Sequence, residues 1–404
     1  MNKKISLGLA IALIILSVTA TFAITMSVSQ RMYNKLITDL PDRAQMYDAV
    51  DEVDKLVRSK YYGEIDEAIL DSNLENGYVK GLNDPYSYYM NADAYELYSS
   101  KLEGRNAGIG VEVETDEESG YLLITAVYPN SPAQTQGLKE GDKIVAIGGD
   151  TVTADNAEEM KSRLSGIKLT SVSLTYRRDD VDKTVNVVLG YTNQTVNYEL
   201  IGTAGYIKIS AFYKNTLSQL EKAITQLQKD GAKSLIFDVR GTYDGTIEYT
   251  CNVIDYLVPT ATEGNKAIAT LLDKNGDTVK TFTSDSKDIT IPMAVLVNSD
   301  TAGYGELFAS DLKDFGKAFI IGEKTAGRAD VQETFELSDG GAIVLTTSKV
   351  LPYISESFDG VGITPDTEVE LAESLKENLA TIERAQDTQL QTAVTMLAGN
   401  SAEE

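Results

Sequence analysis

The chain contains no histidine, no tryptophan and a single cysteine, Cys251, among its 404 residues. The absence of histidine excludes a Ser-His-Asp triad, a Cys-His dyad and an imidazole metal site. One cysteine forms neither an intrachain disulfide nor a thiolate zinc cluster, and its apolar neighbours Val253 and Ile254 predict a small buried side chain. Any metal would have to be a hard cation on carboxylates, and we expect no metal and no cofactor.

Basic residues are also scarce. The chain has 36 Lys and Arg against 61 Asp and Glu, which gives a net charge of −25. Because phosphate binding needs a basic face, this balance argues against nucleic acid as a partner. At about 150 residues per domain, the length predicts two or three domains.

The N-terminus has the pattern of a membrane segment. Lys3 and Lys4 precede an uncharged run from Ile5 to Val28, and about 20 apolar residues span a bilayer as a helix. We interpret this run as an uncleaved signal anchor, with a cleaved signal peptide as the alternative. Lysines on the short side place that end in the cytoplasm and the bulk of the chain outside the cell membrane.

Changes of hydrophobic pattern divide the chain into five parts. Residues 1–30 form the anchor, 31–95 a helical segment with a stripe at Val50, Val53, Leu56 and Val57, and 96–190 a β-rich domain. Residues 191–370 alternate strand and helix, which predicts an α/β core, and 371–404 form a helical tail with a polar turn at 386–389. The predicted core strands are 206–209, 235–239, 294–297 and 319–321, and the predicted core helices are 217–229 and 306–313.

The β-rich part has the features of a peptide-binding domain. Closely spaced glycines let backbone N–H groups face an anion such as a peptide carboxylate, although the same glycines would also serve simple hairpins. Ser131 before Pro132 predicts a helix start, and a Gly-Leu-x-x-Gly-Asp-x-Ile segment begins at Gly137. These segments resemble a PDZ domain over residues 96–190, and the resemblance implies peptide binding at Gly108, Ile109, Gly110 and Val111.

The order of anchor, helical segment, PDZ domain, α/β core and helical tail resembles the carboxyl-terminal processing peptidases, also called tail-specific proteases. This resemblance implies an α/β fold in which a PDZ domain lies between an N-terminal helical segment and the peptidase core. It is carried by local segments at residues 83–89, 205–209, 238–241, 322–327 and 362–366.

The family resemblance implies a Ser/Lys dyad, in which a neutral lysine takes the proton of a serine hydroxyl. In this chain Gly303 occupies the serine position and Arg328 the lysine position, and the offset of 25 residues fits the family motif without a gap. Glycine offers no hydroxyl, and arginine stays protonated and cannot act as a general base. Gln332, which orients the lysine in the family, is retained.

The loop that helps to hold the oxyanion in the family has also changed. The family pattern Arg-Gly-Asn-Pro-Gly-Gly is here Arg-Gly-Thr-Tyr-Asp-Gly, and an added carboxylate near a developing oxyanion is unfavourable. The resemblance assigns this role to Gly241, Thr242, Asp244 and Gly245.

We therefore predict a membrane-anchored homologue that binds extended peptides or protein C-termini without hydrolysing them. Its assembly is predicted to be a homo-oligomer, or a hetero-oligomer that scaffolds an active relative. The alternative is an active serine-type endopeptidase with a displaced dyad, in which Thr301 or Ser299 acts with Lys324.

Overall fold

The computed structural model describes residues 16–22, 24–27, 40–116, 118–128, 131–192, 194–258, 267–284, 289–376, 382 and 384–400. Contacts divide the chain into one unit that ends at Asp71 and a second that begins at Ser72. The predicted membrane segment lies mostly outside the described residues. The parts of it that are described, residues 16–22 and 24–27, are helical. In the part of the chain that is described, no helix combines the length and apolarity needed to cross a bilayer.

Ten α-helices are found among the described residues beyond residue 39. They are α1 (Leu40–Lys60), α2 (Glu67–Lys80), α3 (Ala92–Leu102), α4 (Pro132–Thr135), α5 (Ala157–Ser162), α6 (Thr216–Lys229), α7 (Ile247–Leu257), α8 (Tyr304–Asp314), α9 (Glu373–Lys376) and α10 (Thr388–Asn400). The predicted stripe Val50, Val53, Leu56 and Val57 lies on α1, as expected, but all four side chains are exposed.

The described residues contain twenty strands. They are β1 (Tyr88–Met90), β2 (Asn106–Gly108), β3 (Val111–Thr115), β4 (Leu122–Val127), β5 (Lys143–Ile147), β6 (Asp150–Thr151), β7 (Ser165–Ile167), β8 (Ser171–Arg178), β9 (Val181–Val188), β10 (Tyr191–Thr192), β11 (Val196–Ile201), β12 (Ala204–Ile209), β13 (Ser234–Asp238), β14 (Ala267–Leu272), β15 (Thr278–Thr283), β16 (Met293–Val297), β17 (Ala318–Gly322), β18 (Asp330–Glu336), β19 (Ala342–Leu351) and β20 (Thr367–Glu368).

The β-rich domain is built on an antiparallel sheet with its own core. The strand order is β3-β4-β5-β8-β9, with β6 paired to β5, so β3 is an edge strand. Leu122, Ile124, Ile144 and Leu174 are fully buried in this core. The predicted helix start is confirmed, because Ser131 Oγ accepts a hydrogen bond from the Gln134 N–H at 3.1 Å at the start of α4.

The predicted α/β core is confirmed. Its sheet has the order β11-β12-β13-β16-β17-β20, and every pair except β11–β12 is parallel. Alternate side chains of β13 enter opposite layers, as strand geometry requires. Leu235 and Phe237 pack with α6, α7 and α8, whereas Ile236 packs against α10. Both faces of the sheet are therefore covered.

A second, antiparallel sheet lies beside this core in the order β1-β19-β14-β15, with β18 paired to β19.

Cys251 on α7 is 3% exposed, which confirms the prediction of a small buried side chain.

The C-terminal tail is attached through buried charges rather than through a polar turn. The Arg240 guanidinium donates to the Asp387 carboxylate at 2.8 Å and to Gln389 Oε1 at 2.9 Å. It also donates to the Asp238 carboxylate at 2.7 Å. Within the predicted polar turn at 386–389, Asp387 and Gln389 are buried because they satisfy a buried arginine.

A buried carboxyl group on α8 has no ionic partner among the residues that the structure describes. Asp311 is fully buried, and its Oδ1 accepts a hydrogen bond from the Tyr353 N–H at 3.0 Å. Its Oδ2 is buried without a hydrogen-bond partner among the described residues. Burial raises the pKa of Asp311 well above its ordinary value.

Asp311→Asn is expected to stabilise the protein, and more at pH 8 than at pH 5. Because the folded-state pKa is raised, the folded chain keeps a proton that the unfolded chain releases above a pKa of about 3.9. Stability is lost as pH rises towards the folded-state pKa, by about 1.4 kcal/mol per pH unit. Thermal unfolding at both pH values checks this, with the exposed Asp155→Asn as control. An equal effect of Asp311→Asn at both pH values would contradict it.

Candidate active-site cleft

The turn between β16 and α8 carries the position that the family resemblance assigns to the nucleophilic serine, and this position is a glycine. Gly303 precedes α8 with φ 54° and ψ −106°, a conformation that favours glycine. A Cβ at this position would find Arg328 O at 3.8 Å and Tyr243 O at 3.9 Å. Positions 303 and 328 are therefore adjacent, and space remains where a side chain would stand.

The Glu306 carboxylate joins this turn to the loop that carries Arg328. It is fully buried in the first turn of α8. It accepts hydrogen bonds from the backbone N–H groups of Gly303 at 2.9 Å, Gly327 at 2.7 Å and Arg328 at 2.8 Å. The Thr325 hydroxyl donates a fourth bond at 2.5 Å. Burial raises the pKa of Glu306, although these hydrogen bonds oppose the increase.

The Arg328 side chain lies in the cleft beside Gly303. Its guanidinium carbon is 3.8 Å from the centre of the Tyr86 ring, and its Nη2 donates to Gln332 Oε1 at 3.0 Å. Gln332 in turn donates from Nε2 to Thr346 Oγ1 at 3.4 Å. The residues at the predicted base position and at the retained glutamine are thus in contact.

The predicted oxyanion loop borders the same cleft, but its first N–H groups are already used. Gly241 N–H donates to Asn298 Oδ1 at 2.9 Å, and Thr242 N–H donates to the Val239 carbonyl at 3.0 Å. Gly245 has φ 147° and approaches the Phe212 backbone so closely that a Cβ would lie 2.6 Å from its carbonyl oxygen. Two of the five backbone N–H groups of residues 241–245 are therefore used within the protein.

The added carboxylate of this loop is paired. Asp244 Oδ2 accepts hydrogen bonds from Lys101 Nζ at 2.6 Å and from the Tyr213 hydroxyl at 2.5 Å. These contacts offset the negative charge that the sequence places near the cleft.

The residues of the displaced dyad occupy positions that suit structural roles. Thr301 is fully buried, and its hydroxyl donates to the Val239 carbonyl at 3.0 Å and accepts from the Asn298 N–H at 3.0 Å. Ser299 and Lys324 are both exposed. A lysine base requires burial to become neutral, so these positions give no support to a displaced dyad.

Tyrosines line the cavity that opens beside Gly303, which we name the cleft cavity. It measures about 320 Å³ and is bordered by Tyr86, Tyr88, Tyr98, Tyr243, Tyr304 and Arg328, with Asp244 and Gln332. Burial raises the pKa of Tyr304, so its phenol stays neutral. Tyr304 therefore packs against the cavity and does not act as a nucleophile.

The predicted peptide-binding residues lie in a different cavity, of about 390 Å³, between β3 and α5. Gly108, Ile109, Gly110 and Val111 line it together with Lys161. Gly110 has φ 82°, and a Cβ there would lie 2.3 Å from Ser131 Cβ. The Ile109 N–H donates to the Leu164 carbonyl at 3.1 Å. One of the backbone N–H groups predicted to bind a peptide carboxylate is therefore already used.

The sequence offers Glu306 and Asp330 as ionic partners of Arg328, but the Glu306 carboxylate accepts the backbone N–H of Arg328, and the guanidinium pairs with neither carboxylate. The grouping of tyrosines around the cleft cavity was not predicted. Glutamate three residues after a helix-capping position is half of a capping box, and this signal was available at Gly303 and Glu306. The stacking of Arg328 on the Tyr86 ring has no local signal in the sequence.

Comparison with known proteins supports both parts of this description. Residues 107–189 match the PDZ domain family, and residues 203–369 match peptidase family S41. The carboxy-terminal processing protease CtpA of Bacillus subtilis (strain 168) is 30% identical over 336 residues, which cover 82% of this chain and 70% of that protein.

Two further similarities agree. The "Probable CtpA-like serine protease" of Staphylococcus aureus (strain N315) is 28% identical over 365 residues, covering 88% of this chain and 72% of that protein. A crystal structure of an S41-family protein from Bacteroides fragilis NCTC 9343 aligns with a TM-score of 0.51 at 19% identity, covering 80% of this chain and 90% of that one. The last similarity concerns the fold alone. The predicted fold, with a PDZ domain preceding the peptidase core, is confirmed.

Proposed function

This chain belongs to the CtpA family of carboxy-terminal processing serine proteases within peptidase family S41, and on that premise we propose that it binds peptides without hydrolysing them. The ligands are extended peptides or protein C-termini, held by the groove beside β3 and by the cleft cavity. The protein acts outside the membrane, anchored by its N-terminal segment, as a homo-oligomer or in a complex with an active relative.

One observation carries this proposal: Gly303 and Arg328 are adjacent where the family places a serine and a lysine. Acyl transfer needs a hydroxyl and a base that accepts its proton, and these two residues supply neither. Loss of one member of a catalytic set costs about 10⁴–10⁶ in turnover in well-studied proteases.

The groove beside β3 supports peptide binding independently of the cleft. β3 is an edge strand, and an extended peptide can add to such an edge through main-chain hydrogen bonds. Glu112, Glu114 and Lys161 border the groove, so both signs of charge are available beside a bound peptide.

The full chain is expected to retain an unfolded protein while leaving it uncut. Immobilised protein in mild detergent is incubated with a labelled, reduced and alkylated protein, and the bound and free fractions are analysed by mass spectrometry. Binding without new termini is the expected result, because the cleft has no acyl acceptor. Turnover that is lost in Thr301→Ala or Lys324→Ala would instead establish the displaced dyad.

A further inference from the structure

The cleft cavity contains a cation, Arg328, that has no directly bonded counterion among the described residues. Arg328 forms no ion pair with any described carboxylate, although the chain has a net charge of −25. Its side-chain partners are the Tyr86 ring and the neutral amide of Gln332. Its Nε is buried without a hydrogen-bond partner in the described part of the chain, and an unsatisfied donor of this kind is costly. An arginine in this environment is completed by an anion.

The nearest acidic groups do not fill this role. The Asp244 carboxylate is taken by Lys101 and Tyr213, and the Glu306 carboxylate accepts from Thr325 and three backbone N–H groups. Asp84 accepts from the Ser87 hydroxyl at 2.6 Å and from the Tyr86 N–H at 3.0 Å; against the effect of burial, its hydrogen bonds and the charge of Arg328 hold its pKa below the ordinary value, but it forms no ion pair with the guanidinium. The Arg328 side chain borders the cavity, and its Nη1 donates to no described residue.

We propose that Arg328 and the cleft cavity bind the terminal carboxylate of a peptide whose last side chain is apolar or aromatic. This inference rests on the proposed function, because it assigns the ligand of a site that does not hydrolyse. The carboxylate pairs with the guanidinium through two N–H groups, in the planar arrangement that arginine favours. It occupies the cleft cavity, which Arg328 borders together with Tyr86 and Tyr304.

The shape of the cavity determines the rest of the ligand. A volume of about 320 Å³ suits one side chain with its adjoining backbone. Tyr88, Tyr98, Tyr243 and Tyr304 form its walls, and such rings bury apolar side chains while their hydroxyl groups remain polar.

The groove beside β3 is the less suitable place for the chain end. The Ile109 N–H, which would face a carboxylate there, donates to the Leu164 carbonyl. The two sites therefore have different roles. The edge of β3 binds the extended backbone of the peptide, and Arg328 binds its C-terminal carboxylate.

The test compares two fluorescein-labelled peptides of sequence Gly-Ser-Gly-Ser-Gly-Ser-Val-Leu, one with a free carboxylate and one with a terminal amide. Affinities are measured by fluorescence anisotropy with the full chain in mild detergent. The wild type is expected to bind the carboxylate form about tenfold to hundredfold more tightly, as for a hydrogen bond to a charged group. In Arg328→Gln this ratio is expected to fall to about one.

Two further variants separate the possible sites. Lys161→Glu places a negative charge in the groove beside β3 and is expected to keep the carboxylate preference. Arg328→Lys keeps the positive charge but cannot form the planar pair, so it is expected to retain part of the carboxylate preference. This variant tests the inference if Arg328→Gln is unstable.

The outcomes are distinguishable. A preference that survives Arg328→Gln and disappears in Lys161→Glu overturns this inference and leaves the proposed function standing. A ratio near one in the wild type, with both peptides bound, also overturns the inference alone. No binding of either peptide, or cleavage of both, overturns the proposed function itself.

Discussion

Replacing Gly303 with serine and Arg328 with lysine in one chain is expected to produce peptide hydrolysis, whereas either replacement alone leaves the chain inactive. Positions 303 and 328 are adjacent in the cleft, so both groups of the dyad would return to neighbouring positions. A positioned base contributes typically 10²–10⁴-fold to such a reaction. The double variant is therefore expected to exceed either single variant by at least about 100-fold in the cleavage of a quenched fluorescent peptide.

The matched control is Gly303→Ala with Arg328→Lys, which differs from the double variant only by the hydroxyl group. Both carry a side chain at φ 54°, and such strain costs on the order of 1–3 kcal/mol, so both are expected to unfold at a lower temperature than the wild type. The rate is expected to stay below that of an intact relative, because the loop that borders the cleft carries the carboxylate of Asp244. Equal rates for the two variants would show that the vacant dyad is not what prevents hydrolysis.

Glu306→Ala is expected to destabilise the protein by on the order of 4 kcal/mol, since it breaks a buried hydrogen-bond network. Three backbone N–H groups and the Thr325 hydroxyl lose their acceptor. The turn at Gly303 and the loop at Arg328 are then no longer joined, so peptide affinity is expected to fall as well. Chemical denaturation at neutral pH measures the first effect, and fluorescence anisotropy measures the second.

Glu248→Ala is the control for this experiment. Glu248 lies in the first turn of α7, as Glu306 does in α8, but it is exposed. Its loss is expected to change stability by no more than about 0.5 kcal/mol. A similarly small effect of Glu306→Ala would contradict the role assigned to its carboxylate.

Periodicity allowed much of the core to be predicted from the sequence. The inward face of α6, with Leu220, Ala223, Ile224 and Leu227, is buried as its spacing predicts. The parallel strands were equally clear, because β13 and β16 are buried on both faces and form continuous apolar runs.

The second sheet was not predicted, for two physical reasons. The strand β15 exposes nearly all its side chains and has no alternating pattern. The strand β1 is short and pairs with β19, as in Tyr88 with Val344, across most of the chain length. Long-range pairing of this kind has no local signal.

The candidate site likewise contains residues that could be predicted from the sequence and contacts that could not. Gly303, Arg328 and Gln332 were found because their spacing matches a motif along the chain. The stacking of Arg328 on Tyr86 and the pairing of Asp244 with Lys101 depend on tertiary contacts between distant segments. The same holds for the attachment of Asp387 to Arg240, where residues that look like a polar surface turn are buried by a charge from another element.

The intact mass of the wild-type chain after treatment with a fluorophosphonate tests most directly whether a nucleophile is present. This reagent phosphonylates an activated hydroxyl group, and the double variant at positions 303 and 328 provides the positive control. We predict an unchanged mass for the wild type, because the residue at the start of α8 has no side chain. A stoichiometric adduct on the wild type, mapped to Thr301 or Ser299, would contradict this prediction and establish an active peptidase.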